Sequence, residues 1–398
     1  MAAAAPNPAA GKYPIAAAAL GLMLAGTFMP SPLYELYRRE WGLTPGDISL
    51  VFAIYAASLI PSLLFLGGVS DTFGRRKTLL VALGIHACGS LVFAFATGLW
   101  WLIAARILQG LAMGIGTGTA TAAIREWMDE PMRPRAGAVA LIGLTVGSSL
   151  GALLGGFLGQ YAPYPTTLPY LVHIVLLAAC AAAVATVPSC PHLQPAAHHG
   201  LPAIDPTIRR PFFLVSTVAF VGWSALAIFA SLVPTFLIKS LDLHSLLVGA
   251  FVVTGTQTGS FCAQFVGRAV SNRAALLLAL VALGVGIWML LLGVPTHLYV
   301  LVASATLVVG LGNGLGYLAG LNVVNAIAPA AHRAEVISAY FVAGYLGFSI
   351  PALLVGIAAN VVGLYASITG AAVVLGLIAI VAMVVTQDRN LQAAPAKT

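Results

Sequence analysis

Charge is what this chain of 398 residues has least of. Lys, Arg, Asp and Glu together make up 7% of it, against 60% hydrophobic residues, where soluble domains carry roughly 25% charged residues. None of the four occurs from Ala136 to Ile204, from Ala274 to His332 or from Val336 to Gln387. With a mean hydropathy of +0.99, this excludes a soluble protein and places the chain in lipid. Cysteine is also scarce. Cys88, Cys180, Cys190 and Cys262 show neither metal-ligand nor redox spacing, so no disulfide framework is expected. Cys190, His192, His198 and His199 share a Pro- and His-bearing stretch but match no zinc pattern. No metal site and no cofactor are expected. Neither a Ser/His pair, nor paired Asp, nor a metal-binding constellation occurs within the apolar segments, which argues against an intramembrane enzyme.

What is there is a series of apolar segments, each near the roughly 20 residues needed to cross a bilayer. Turn residues divide the charge-free blocks, and the spans fall at about 14–35, 47–67, 77–97, 100–124, 136–160, 168–188, 211–238, 245–266, 274–294, 296–328, 334–358 and 361–386. The expected fold class is therefore all-α, with twelve transmembrane helices. If the N-terminus is inside, most bases fall in cytoplasmic segments and only Arg38, Arg39 and Lys239 lie outside. That bias accounts for the formal net charge of +7, and no nucleic-acid partner is needed to explain it. Met1 to Gly11 has no basic region and no evident cleavage site, and reads as a retained tail. The expected organisation is a cytoplasmic tail (1–13), a six-helix bundle (14–188), a cytoplasmic linker (189–210), a second six-helix bundle (211–386) and a cytoplasmic tail (387–398).

The chain is similar to itself at an offset of 200. Gly67, Gly110, Gly114, Gly116, Arg133, Gly147 and Gly156 meet Gly267, Gly310, Gly314, Gly316, Arg333, Gly347 and Gly356. The offset spans six helices, an even number, so both copies enter the membrane in the same direction. Parallel repeats about an axis along the membrane normal are an architecture of transporters that expose a site alternately to each side.

One polar loop stands between two apolar segments: Gly67-Gly68-Val69-Ser70-Asp71-Thr72-Phe73-Gly74-Arg75-Arg76-Lys77. It resembles the signature between helices two and three of the major facilitator superfamily. Gly67, Ser70, Asp71, Gly74, Arg75, Arg76 and Lys77 fit, while Val69 and Thr72 depart from the usual Leu and base. Arg106-Ile107-Leu108-Gln109-Gly110 is similar to the superfamily's helix-four element. The run from Gly147 to Gly156 is similar to its helix-five antiporter element, with Ala152 where Pro is usual. The resemblance covers essentially the whole chain and is closest to the twelve-helix drug:proton antiporter group.

By that resemblance Gly67, Asp71, Gly74, Arg75 and Arg76 form a conformational latch, with Arg75 and the start of the Arg333 helix as partners of Asp71. The bland alternative is a loop whose bases only set orientation. The second copy, Gly267 to Arg273, keeps the glycine and lacks the acid and the basic cluster, so the latch is expected on one repeat only.

Arg106 is the one formally charged side chain well inside a span, about 9 Å deeper than Trp100 at the helical rise, and its cost in hydrocarbon requires it to face the protein interior. Together with Gln109 and Glu35 it is a candidate for the central path or for coupling. The alternative for Arg106 is purely structural, hydrogen-bonding backbone carbonyls to tie helix one to helix four. Gly147, Gly151, Gly155 and Gly156 form a stripe that permits close helix packing. Tyr34, Gln257, Asn313 and Tyr317 are candidate substrate-lining residues, and packing is the expected role of His86 and His173.

The resemblance implies a secondary transporter in a bacterial inner membrane that exports a small organic compound by proton antiport, working as a monomer. The alternative is an importer or facilitator of an anionic or neutral nutrient, suggested by the missing central acid and the lone Arg106. A sensor or scaffold that keeps the fold without transporting would carry added domains, and none is evident. Accessibility labelling is expected to find both tails on the cytoplasmic side; tails on opposite faces would break the even-helix topology.

Overall fold

The computed structural model describes residues 8–188, 204–243, 245–329 and 332–386. Among them every α or β element is a helix. The α-helices are α1 (Tyr13–Phe28), α2 (Pro30–Trp41), α3 (Pro45–Leu66), α4 (Val69–Phe73), α5 (Arg75–Ala94), α6 (Leu99–Glu126), α7 (Ala136–Tyr161), α8 (Leu168–Ala185), α9 (Arg209–Ser231), α10 (Val233–Ser240), α11 (Leu247–Ala269), α12 (Asn272–Gly293), α13 (Tyr299–Ile327), α14 (Arg333–Val362) and α15 (Leu364–Thr386). A 3-10 turn, Glu130–Arg135, precedes α7. Eleven segments among the described residues are long and apolar enough to span a membrane, α1 and α2 counting together as one. The remaining expected span is α11. Its 23 residues reach about 34 Å at the helical rise, but Thr254, Thr256, Gln257, Thr258, Ser260 and Gln264 lower its apolar content. The linker histidines, Cys190 and the tails beyond residue 386 lie outside the described residues.

Two spans expected to be continuous are broken, and proline is the reason in both. Residues 14–35 divide into α1 and α2 at Met29, and residues 211–238 into α9 and α10 at Leu232. Proline has no N–H, so the carbonyl four residues earlier loses its helical partner. Pro30 strips Gly26 in this way and Pro234 strips Ala230. Each orphaned carbonyl is recovered by a side chain: Gln109 Nε2 donates to Gly26 O at 3.0 Å, and Ser31 Oγ donates to Ala230 O. The breaks are thus satisfied features of the fold.

The chain forms two compact units. One comprises Met1–Pro30 and Ser58–Gly200, the other Ser31–Ala57 and Leu201–Thr398. The first crossing between them falls at the Pro30 break. In the first unit α1 packs on α6, α7 and α8, and α5 on α6 and α8. The second unit repeats these pairings: α9 on α13, α14 and α15, and α12 on α13 and α15. The repeat extends to single hydrogen bonds. Ser62 Oγ donates to Leu111 O at 2.8 Å, and Ser260 Oγ donates to Gly310 O at 2.9 Å.

In the first unit α1 and α7 meet backbone to backbone. A Cβ placed on Gly147, Gly151 or Gly155 would run into the main chain of Gly21, Ala25 or Met29, and one on Gly143 would press on Ala17 O. The period of four on each helix keeps these positions on facing sides, so the stripe lies along one helix seam. Gly156 is buried as well. Overpacking of this kind costs roughly 1–3 kcal/mol. Gly151→Ala is expected to lower the unfolding midpoint in detergent, whereas Gly84→Ala, where nothing lies within 4 Å, is expected to leave it unchanged. Equal midpoints for the two variants would remove the seam from the stability of the fold.

Candidate functional site

The helix break at Pro30 is surrounded by buried polar side chains of the first unit. Arg106, on α6, is 1% exposed. Its Nη1 donates to Thr27 O at 2.8 Å and to Gln109 Oε1 at 3.0 Å. The guanidinium lies 5.7 Å from the centroid of Phe93, which stacks on Tyr170 at 4.9 Å. Two adjacent carbonyls of α1 are therefore held from α6, one by Arg106 and one by Gln109. A guanidinium among carbonyl dipoles and an aromatic face is what makes an arginine tolerable at this depth. Through these bonds α6 is tied to α1.

Beside the same turn lie His86 of α5 and His173 of α8, both fully buried. Their rings meet edge to face with centroids 5.6 Å apart. Both pack against Gly26, where any side chain would strike the imidazoles. His173 Nε2 reaches Leu22 O at 2.8 Å and its Nδ1 reaches Ser90 Oγ at 2.9 Å. The carbonyl can only accept, so the proton is assigned to Nε2 and Ser90 donates to Nδ1. Neither ring nitrogen of His86 has a hydrogen-bond partner. Packing is the role expected of both histidines from sequence, and the structure packs them against α1.

In the polar loop, Gly74 adopts φ +93°, a conformation that favours glycine. It turns the chain from α4 into α5 and brings Arg75 back over Asp71, with Arg75 Nη1 2.6 Å from Asp71 Oδ1. Arg75 Nη1 also donates to Ser70 Oγ at 2.5 Å. Its Nη2 donates to Glu126 at the end of α6, at 2.8 Å. A Cβ on Gly67 would press on Leu63 O. Arg76 is half-buried. Sequence reasoning paired Asp71 with Arg75 and missed Glu126, although an acid ending a helix in a chain with eleven acids was a usable signal.

Glu35 belongs to the second unit and is 2% exposed. Arg38 binds it through two donors, at 2.7 and 2.8 Å. Arg39 donates at 2.7 Å, and Thr235 Oγ1 lies 3.2 Å from Oε2. Its charge is balanced locally by two guanidinium groups. Arg106 belongs to the first unit.

The second unit also gathers aromatic rings from α3, α9, α13 and α14. Trp223 meets Tyr345 edge-on at 4.7 Å, with Tyr317 at 6.5 Å and Phe348 at 6.4 Å. Phe348 stacks on Phe52 at 4.8 Å, and Phe341 lies 6.3 Å from Tyr317. Gly344 lets the Trp223 ring rest on the α14 backbone, where a Cβ would come within 3.1 Å of it. Trp223, Tyr317, Phe341 and Tyr345 keep partly exposed faces, while Phe348 is buried. Of the sequence-named lining residues, Tyr317 joins this wall. Asn313 is buried beside Gly222, its Oδ1 without a partner. Gln257 is half-buried on α11 and Tyr34 is buried. Trp223, Phe341 and Phe348 were not picked out from sequence.

A duplicated bundle of membrane-spanning helices, with buried polar side chains at a helix break and one basic loop, is the architecture of the secondary transporter class. The profile of the Major Facilitator Superfamily matches residues 16–352, and the chain belongs to that superfamily. It is a multi-pass membrane transporter, and its fold and family are not those of enzymes. It is 30% identical over 97 residues to the niacin transporter NiaP of Acinetobacter baylyi, 24% of this chain and 22% of that one. It is 30% identical over 108 residues to multidrug resistance protein D of Escherichia coli, 27% of each chain. The matched stretches thus span about a quarter of these relatives. The solved nucleoside transporter NupG shares the fold, with a TM-score of 0.76 at 16% identity, covering 94% of this chain and 99% of that one.

The loop geometry makes Arg75 the hub, more than Asp71. Arg75→Ala is expected to impair transport more than Glu126→Gln, which leaves the Asp71 ion pair in place. Transport rates at matched membrane abundance check this, and an undiminished Arg75→Ala rate would reduce the loop to an orientation signal.

Proposed function

We propose that this protein exports a small, planar organic compound by alternating access, in exchange for protons. The observation that carries the substrate class is the half-exposed aromatic wall of Trp223, Tyr317, Phe341 and Tyr345. Aromatic faces offer large apolar area with defined ring geometry and little conformational entropy to lose. The reading as an importer of an anion leaned on Arg106, whose Nη1 is engaged by Thr27 O and Gln109; this favours a substrate held by stacking. Export is supported by the glycine seam, which resembles the antiporter element, and by the similarity to a multidrug resistance protein. The resemblance to niacin transporter NiaP favours a second reading, uptake of a heteroaromatic nutrient at the same wall. In either reading the protein is placed as a monomer in a bacterial inner membrane, with both termini cytoplasmic.

Ethidium is a suitable planar probe. Everted vesicles containing the protein are expected to accumulate it when a proton gradient is formed and to lose it when an ionophore collapses the gradient. Trp223→Ala is expected to raise the half-saturation concentration about tenfold, or about 1.4 kcal/mol, with Trp223→Phe intermediate. Accumulation confined to right-side-out vesicles would reverse the direction, and transport indifferent to the ionophore would reject proton exchange.

A further inference from the structure

Proton exchange needs a group that can gain and lose a proton, and no Asp or Glu stands mid-span in this chain. Glu35 is balanced by two arginines. The ionisable groups buried at the helix-1 break, apart from Arg106, are His86 and His173. Histidine is the side chain whose ordinary titration falls between about pH 5 and 8.

His86 is in an unusual position. Burying one unsatisfied polar group costs roughly 1–3 kcal/mol, and a neutral imidazole always has one N–H to place. Both His86 nitrogens lack a partner. His173, by contrast, has an acceptor for its N–H and a donor for its lone pair. Two elements bring a charged or titratable group close to His86. His173 comes from α8 and Arg106 from α6. α1 has no ionisable side chain from Pro14 to Phe28. Asp71 of α4 and the bases opening α5 are at least nine residues away along the chain, about 14 Å of helix.

We propose that His86 and His173 form the proton-binding site of the transport cycle, and that its occupancy sets the hold of Arg106 and Gln109 on the helix-1 break. This rests on the proton-exchange reading above. The step is the addition of one proton from water to the basic nitrogen of His86, giving an imidazolium; release reverses it, and no other bond is made or broken. In the present arrangement that imidazolium would have two N–H donors without acceptors and would sit among groups that include the Arg106 guanidinium. The protonated form therefore belongs to a different arrangement of α1, α5 and α8. Because Gly26 carries both the imidazole contact and the carbonyl held by Gln109, α1 is the element that shifts. A group that is bound in one arrangement and rejected in the other links proton occupancy to conformation. The chain passes from one compact unit to the other at Pro30, four residues beyond Gly26.

The test uses the full chain in lipid nanodiscs with 15N-labelled histidine. In the wild type, two coupled imidazole signals are expected to titrate between about pH 5 and 8, and His173→Gln is expected to move the His86 signal. In vesicles, His86→Gln is expected to cut gradient-driven ethidium accumulation at least about tenfold at matched membrane abundance. If wild-type accumulation ignores the proton gradient, the exchange reading itself fails, and no variant is needed to see it. If wild-type transport follows the gradient while both rings stay neutral down to about pH 5, the pair is not the site. The wild-type spectrum decides this even if a histidine variant fails to fold.

Discussion

A missing hydrogen-bond donor organises much of the first unit. Pro30 cannot supply an N–H to Gly26, and in hydrocarbon an orphaned carbonyl has no water to turn to. The fold supplies Gln109 and, one residue on, Arg106. The only formally charged side chain deep in a span thereby becomes a backbone ligand. It joins α6 to α1 beside the gap that Gln109 fills. The second repeat solves the same problem at Pro234 more cheaply, with the hydroxyl of Ser31. Identical constraints on the two halves have received chemically different answers.

That difference runs through the whole molecule. In the first unit α1 and α7 touch through glycine and backbone, and the nearby polar groups can carry a proton or a charge. In the second unit the corresponding region has Trp223 resting on Gly344 and a wall of rings around it. The repeat fixes the helix pairings and single bonds such as those of Ser62 and Ser260. It leaves each half free to differ in its side chains, with buried polar groups beside α1 in one and aromatic rings around Trp223 in the other.

How much of this could be read from the sequence depends on what kind of signal each feature leaves. The spans were legible because charge is so scarce that its absence marks them, and most ends agree with the structure within a few residues. The basic loop was legible because its spacing is rare. Pro30, Pro32 and Pro234 mark the helix breaks in the sequence, but the apolar runs continue through them and hide proline's missing donor. Trp223, Phe341 and Phe348 of the aromatic wall and the position of His86 were not legible, for a physical reason. Lipid and protein interior are both apolar, so a spanning helix need not be amphipathic, and hydrophobic periodicity does not say which face turns inward. Glu126 escaped because its partner is 51 residues away, across a loop whose shape depends on the conformation of Gly74.

The seam between α1 and α7 has one more consequence. A contact made of main chain on both sides contains no rotamers, so it loses no side-chain freedom when formed and has none to adjust when disturbed. Neighbouring residues cannot repack to absorb a change there, and every codon change that introduces a side chain at Gly147, Gly151 or Gly155 acts in the same harmful direction. In genetic terms the seam is a stretch where variation can be removed but not traded, and drift in the rest of α7 must proceed around it.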